Sequence, residues 1–169
     1  MILNMFAHTA FVGVGSNLRQ KQDNCLRGIA ALTADSHSRL LNQSRLYRTE
    51  PVDYLDQDWF VNCAVQIETC LDPFELLAVL QDIQKKAGRI SDAIRFGPRI
   101  LDMDVIFFDA TVTDHPALTL PHPRMHLRRF VLKPLCDMDP TLRHPILNQT
   151  VQQLLDNLED VGQGIVEIS

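Results

Sequence analysis

Lysine is scarce in this chain of 169 residues. Only Lys21, Lys85, Lys86 and Lys133 occur, so arginine supplies most of the 16 basic side chains. There is no broad positive field: 21 acidic residues leave a formal charge of -5, which argues against nucleic acid as a partner. No apolar run is long enough to span a bilayer, so no membrane partner is expected. The opening stretch MILNMFAHTAFVGVG has no basic n-region, and Phe11 to Val14 reads as a strand rather than the core of a signal peptide. Cys25, Cys63, Cys70 and Cys136 form neither a C-x-x-C pair nor a zinc-like spacing. Each lies in or beside an apolar segment, which predicts buried free thiols, a reducing compartment and a cytoplasmic location. Repeats, low-complexity tracts and linkers are also missing, so residues 1–169 are expected to form a single domain with a core that needs neither disulfides nor structural metal.

Punctuation along the chain sets out the elements. A first strand ending in F-V-G-V runs into Gly15-Ser16-Asn17, read as a turn, and then into a helix through about Ala34 with Leu26, Ile29, Ala30 and Leu32 on its apolar face. A second strand is predicted over about Arg39 to Arg48 and a third over Phe60 to Glu68. Asp72-Pro73-Phe74-Glu75 combines an N-cap, a proline at the first helical position and an acid three residues after the cap, and the helix it opens ends at Gly88. A fourth strand follows. The order β-α-β-β-α-β predicts an α+β fold, ferredoxin-like, with a mainly antiparallel sheet and both helices on one face. Beyond Asp109 lies a C-terminal extension: a Pro-rich stretch, an apolar segment from Phe130 to Cys136, and a helix near Val151 to Leu158 opened by Thr150 with Gln153.

Within RFGPRILDMDVIFFD the fourth strand carries an anomaly. Alternation puts Leu101, Met103, Val105 and Phe107 on one face, and Asp102, Asp104, Ile106 and Phe108 on the other. The two aspartates, with Cα atoms roughly 6 to 7 Å apart, repel unless a cation or donor sits between them. Two readings satisfy them: a salt-bridge cluster with Arg95 and Arg99, or a seat for hard divalent cations that share their remaining positions with water and phosphate. Two arginine clusters, Arg89 with Arg95 and Arg99, and Arg124 with Arg128 and Arg129, have the fork geometry that suits phosphates and carboxylates.

Other motifs sort themselves by what they lack. G-V-G-S-N has no third glycine and no following Gly-Lys-Ser/Thr, which sets aside a dinucleotide or P-loop reading in favour of a tight turn. His122 and His126 have i, i+4 spacing, but Pro121 and Pro123 put His122 in extended chain and the nearby arginines would repel zinc. His122 is left as either a phosphate-facing group or an exposed loop histidine. Phe60 and Asn62 share parity on the third strand, so a ring and an amide project to one side, a combination that suits a flat heterocycle.

The stretches FVGVGSNL, SRLYRTEPVDYLDQDWFVNCAVQIET, GR…RFGPRILDMDVIFF and LPHPRMHLRRFVLKPL, in this order and spacing, closely resemble the 6-hydroxymethyl-7,8-dihydropterin pyrophosphokinase family of folate biosynthesis. The resemblance implies transfer of diphosphate from ATP to the pterin hydroxymethyl group, with AMP released. It implies two Mg²⁺ ions at Asp102 and Asp104, and phosphate contacts from Arg89 and Arg99. Gln81, Thr119, His122 and Arg128 would complete the nucleotide side. The pterin would lie between Phe60 and Phe130, with Thr49, Pro51, Val52 and Asn62 along its edge. Gln84, Ser91 and Phe96 depart from the family's common residues, an acid, an arginine and a tryptophan, which leaves open how the loop between Gly88 and Pro98 closes. The expected partners are small molecules only, and the expected state is a monomer. A ligand-binding ferredoxin-like module without catalysis is the rival from another class.

Overall fold

The computed structural model describes residues 6–88, 97–159 and 162–168. Thirteen elements follow one another: β1 (His8–Ser16), α1 (Lys21–Leu32), β2 (Ser38–Gln43), β3 (Tyr47–Thr49), β4 (Phe60–Thr69), α2 (Pro73–Lys86), β5 (Asp102–Phe108), β6 (Thr113–His115), β7 (Leu118–Leu120), a 3₁₀ turn (Met125–Leu127), α3 (Arg129–Met138), α4 (Val151–Asp156) and β8 (Ile165–Glu167). The main sheet runs β5-β1-β4-β3-β8, with β2 also paired to β4, and its pairs are antiparallel. This is the expected βαββαβ core. The second strand divides because the chain leaves β4 after Gln43 and rejoins it at Tyr47.

Each face of the sheet carries its own core. Ala10, Val12, Val14, Val65, Ile67, Met103 and Val105 meet Cys25, Ile29 and Leu32 of α1 and Leu76 and Leu80 of α2. Phe11, Ala64, Ile106 and Phe107 meet Val131, Leu132 and Leu135 of α3 and Val151 and Leu154 of α4. The two expected helices therefore share one face, and the extension covers part of the other.

Several local readings need correction. Residue pairing between β1 and β5 passes from Phe11↔Phe107 to Val12↔Val105, so Ile106 is an extra residue, a bulge that interrupts the alternation. Phe107 consequently joins Ile106 in the α3/α4 core, while Phe108 joins the α1/α2 core. Strict parity had assigned these two phenylalanines the other way round. On α1 the buried stripe is Cys25, Gly28, Ile29 and Leu32, whereas Leu26 and Ala30 are exposed. Gly28 belongs to the stripe because a Cβ there would come within 2.9 Å of Leu101 Cδ2, so its absence lets the helix lie close to the strand. Cys25 and Cys63 are buried free thiols as expected, but Cys70 is exposed and Cys136 only half-buried.

The caps behave as read. The Asp72 carboxylate accepts from the Phe74 and Glu75 N–H groups and Glu75 accepts from the Asp72 N–H, while Thr150 and Gln153 do the same for α4. Gly88 follows α2 at φ +102°, a left-handed conformation that glycine adopts without strain.

Candidate active site

β1 gives the site its floor. Gly13 and Gly15 lie inside this strand, not in a turn, and stand opposite Asp104 and Asp102 on β5 and Ala64 and Asn62 on β4. A Cβ at Gly15 would overlap Asn62 Oδ1, and one at Gly13 would press on Ile106. The glycines keep the middle of the sheet clear of side chains where α3 and α4 do not cover it. Their role is clearance, which reading them as a turn had missed.

Around this floor is a cavity lined by the predicted Thr49, Val52, Phe60, Asn62, Arg99, Asp102, Asp104, His122, Arg128 and Phe130. At the β3–β4 end, Asn62 Nδ2 donates to Thr49 Oγ1 at 2.7 Å, which fixes the amide and leaves its carbonyl oxygen to face the floor. Phe60 comes from β4 and Phe130 from the first turn of α3, and both are half-buried. Buried Pro51 is adjacent to this wall but does not line it.

The opposite end is charged. Arg99 Nη1 donates to Asp102 Oδ1 at 2.6 Å, so the Arg99 part of the salt-bridge reading holds for that aspartate, and Asp104 lies beside it with greater exposure. Arg128 stands over the Phe130 ring, 5.5 Å from its centroid, and donates from Nη2 to Asp53 Oδ2 at 3.1 Å. Burial, then repulsion from Arg124, lowers the Arg128 pKa, against which Asp53 and Asp104 act. His122 is pushed down to about 4, first by burial and then by Arg128 and Arg124. Its Nδ1 accepts the Arg124 N–H at 3.2 Å, which assigns the proton of the neutral ring to Nε2.

Reading residue types alone missed two contributors. Asn17 is buried and links three segments: its N–H donates to the Arg99 carbonyl, its Oδ1 accepts the Arg99 N–H, and its Nδ2 donates to Gln57 Oε1 and the Asp58 carbonyl. Asp53 lines the cavity between the ring wall and the arginines. An Asn after a strand and an Asp in a polar loop carry no signal that separates them from ordinary turn residues. Gln81, on the exposed side of α2, and Thr119, near Asp114 on β7, do not line the cavity. Arg89, Arg95, Ser91 and Phe96 lie outside the described residues, and with them the loop between Gly88 and Pro98 in large part.

Gln84, noted as a departure from the family's acid, is buried and pins the DxD strand. Its Nε2 donates to the Leu80 and Met103 carbonyls at 2.9 and 3.3 Å, and its Oε1 accepts the Met103 N–H at 3.2 Å.

Such a site, on the open face of a ferredoxin-like sheet with rings and an oriented amide at one end and carboxylates among guanidinium groups at the other, defines a binder of small molecules that join a flat heterocycle to a polyanion. The 7,8-dihydro-6-hydroxymethylpterin-pyrophosphokinase (HPPK) profile matches residues 11–140. The 2-amino-4-hydroxy-6-hydroxymethyldihydropteridine pyrophosphokinase of Methylorubrum extorquens is 37% identical over 158 residues, covering 94% of this chain and 98% of its own. That of Bacillus subtilis is 38% identical over 129 residues, 76% of this chain and 77% of its own. The folic acid synthesis protein fol1 of Schizosaccharomyces pombe is 37% identical over 153 residues, 90% of this chain, and this chain spans 21% of that protein. In fold, a crystal structure of wild-type HPPK-DHPS from Plasmodium falciparum superposes with a TM-score of 0.69 at 18% identity, over 88% of this chain and 41% of that one. The chain belongs to the HPPK family.

Proposed function

We infer that the protein transfers diphosphate from ATP to the hydroxymethyl group of 6-hydroxymethyl-7,8-dihydropterin and releases AMP. One observation supports this above the others: a single glycine-cleared sheet face carries both the Phe60, Asn62 and Phe130 wall and the Asp102, Asp104, Arg99 and Arg128 end. The hydroxymethyl oxygen attacks the β-phosphorus in line, the bond to the α-phosphate bridging oxygen breaks, AMP leaves with that oxygen, and the hydroxyl proton passes to solvent. No described side chain stands out as a strong base, so positioning and electrostatics carry the rate.

Two carboxylates on one strand face suit a hard cation. Among the described residues there is no cluster of three or more His, Cys, Asp or Glu groups, so the remaining positions would fall to phosphate oxygens and water, as Mg²⁺ prefers. Asp102 and Asp104 would hold two Mg²⁺ ions, which when bound supply charge neutralisation to the triphosphate. Arg99 then exchanges Asp102 for a phosphate oxygen. Arg128 and the neutral His122 donate to the nucleotide, and by family resemblance Arg89 completes the phosphate contacts while Gln81 and Thr119 lie on the nucleotide side. The pterin stacks between Phe60 and Phe130, with Asn62 and the Thr49–Val52 segment, including Pro51, pairing with its edge. No helix among the described residues is long and apolar enough to cross a membrane, and a monomer acting on small molecules in the cytoplasm is the simplest setting.

The test is AMP release from ATP, measured with and without the pterin and Mg²⁺. Formation of AMP only when both are present is expected. Stabilisation by either ligand with no AMP would instead favour a binding module.

A further inference from the structure

Asp53 occupies an unusual position. It sits at the apex of a three-residue turn closed by the Tyr54 N–H on the Val52 carbonyl at 3.0 Å, with φ +73°. Such a hydrogen-bonded three-residue turn with positive φ at its centre is rare and strained, and a residue held there persists only when its surroundings fix it. Here the fixing contact is electrostatic. A single carboxylate oxygen, Oδ2, accepts from Arg128 Nη2 at 3.1 Å and Arg124 Nη1 at 3.3 Å.

These arginines belong to the PHPRMHLRRF segment, not to the loop that carries Asp53. Arg128 is held in place, its side chain only 12% exposed, and Asp53 and Arg128 line the same cavity. Two guanidinium groups pointing at one place repel each other and require an anion between them. Here the chain provides that anion itself, through Asp53 Oδ2.

We propose that Asp53 is an affinity-determining residue that stands in for a nucleotide phosphate at the Arg124–Arg128 pair and must be displaced when ATP binds. This rests on the reading of Arg128 as a nucleotide contact. The carboxylate is a built-in competitor: it keeps the arginine pair satisfied, and it lowers the affinity for polyanions. Displacement also releases the apex of the Val52–Tyr54 turn, whose first residue lines the pterin wall, so nucleotide arrival is felt at the other substrate's subsite.

Asp53→Asn removes the charge while retaining a side chain that tolerates positive φ, and Asp53→Gly removes the side chain and the strain together. Titration calorimetry with MgATP and with inorganic tripolyphosphate is expected to show both variants binding about three- to tenfold more tightly than the parent, the range covered by a pair of partly exposed ion pairs. Affinity for the pterin, measured on protein saturated with a non-hydrolysable ATP analogue, is expected to change less than about twofold. Arg128→Ala should weaken both polyanions, and the gain from Asp53→Asn should shrink in the Arg128→Ala background. Unchanged or weaker polyanion binding in Asp53→Asn, alongside weakened binding in Arg128→Ala, would overturn the competitor role and leave the nucleotide reading of Arg128 standing. No weakening in Arg128→Ala would overturn both.

Discussion

Asp102 and Asp104 share a strand face but not an environment. Asp102 is tied to Arg99, with its side chain 26% exposed, while Asp104 is the more open of the two. Neither belongs to the apolar core on either side of the sheet. Asp104→Asn is therefore expected to leave the unfolding free energy within about 0.5 kcal/mol of the parent while lowering Mg²⁺-dependent turnover at least about a hundredfold, the scale on which one preorganised electrostatic group acts. Steady-state rates across a Mg²⁺ titration, beside urea unfolding, check both halves, and near-normal turnover would remove the metal assignment. His122 gives a second test. Its pKa is pushed from 6.5 down to about 4, so between these values the unfolded chain binds more protons than the folded one. The stability associated with its neutral form is fully present above about 6.5 and is lost as the pH falls towards 4. His122→Asn is expected to lose less unfolding free energy than the parent between pH 7 and pH 5, and equal losses would show that the ring does not titrate in this way.

At the scale of elements, β5 pairs with β1 alone among the described strands, and its Ile106 carbonyl accepts the His122 N–H. On its other side the Gln84 amide satisfies both the N–H and the carbonyl of Met103, the residue between the two aspartates, and so fixes the strand edge against α2. An amide can donate and accept at once, whereas an ionised acid can only accept. Gln84→Ala is expected to destabilise by about 1–3 kcal/mol through unsatisfied buried groups. Gln84→Glu should be worse, and its deficit should grow as pH rises, because burial favours the protonated carboxyl. Chemical denaturation at several pH values checks both, and a Glu variant as stable as the parent at pH 8 would contradict this role. How much was legible follows from the same kind of contact. Periodicity and caps gave β1, α1, β4, α2, β5 and α4 because those signals are local. The bulge at Ile106, the β6–β7 hairpin and β8 were not readable, since each depends on a partner distant in sequence: Phe11 and Val12 for the bulge, β3 for β8. Asp102, Asp104, Phe60 and Asn62 were legible from strand parity and Arg99 and Arg128 from clustering, and the rest of the proposed site came through the family resemblance, whereas Gly13, Gly15, Asn17 and Asp53 became visible only through register and hydrogen bonding.

Across the whole molecule, the cavity walls come from segments that the backbone alone does not hold together: the Thr49–Asp53 stretch after β3, the Gly97–Asp104 approach into β5, and the His122–Phe130 entry into α3. Asn17 ties the continuation of the first stretch, at Gln57, to the second at Arg99. The C-terminal strap ties the first to the third: the Gly164 N–H donates to Glu50 Oε2, and Gln163 Oε1 accepts the Arg129 N–H at the uncapped start of α3. Val52 belongs to the proposed pterin wall and its neighbour Asp53 to the arginine pair, so a nucleotide that displaces Asp53 frees the Val52–Tyr54 stretch to settle on the pterin, and each ligand lowers the cost of binding the other. A ligand at a hundredfold excess over its Kd stabilises the folded state by about 2.7 kcal/mol, which for a chain of this size raises Tm by roughly 5 to 10 °C. With a non-hydrolysable ATP analogue and the pterin added together in Mg²⁺, thermal unfolding is expected to shift by more than the sum of the separate shifts. Chelating Mg²⁺ is expected to abolish the nucleotide-dependent part, because the two carboxylates then repel the triphosphate. Strictly additive shifts would mean that the segments respond independently, and a nucleotide shift that survives chelation would place the triphosphate away from Asp102 and Asp104.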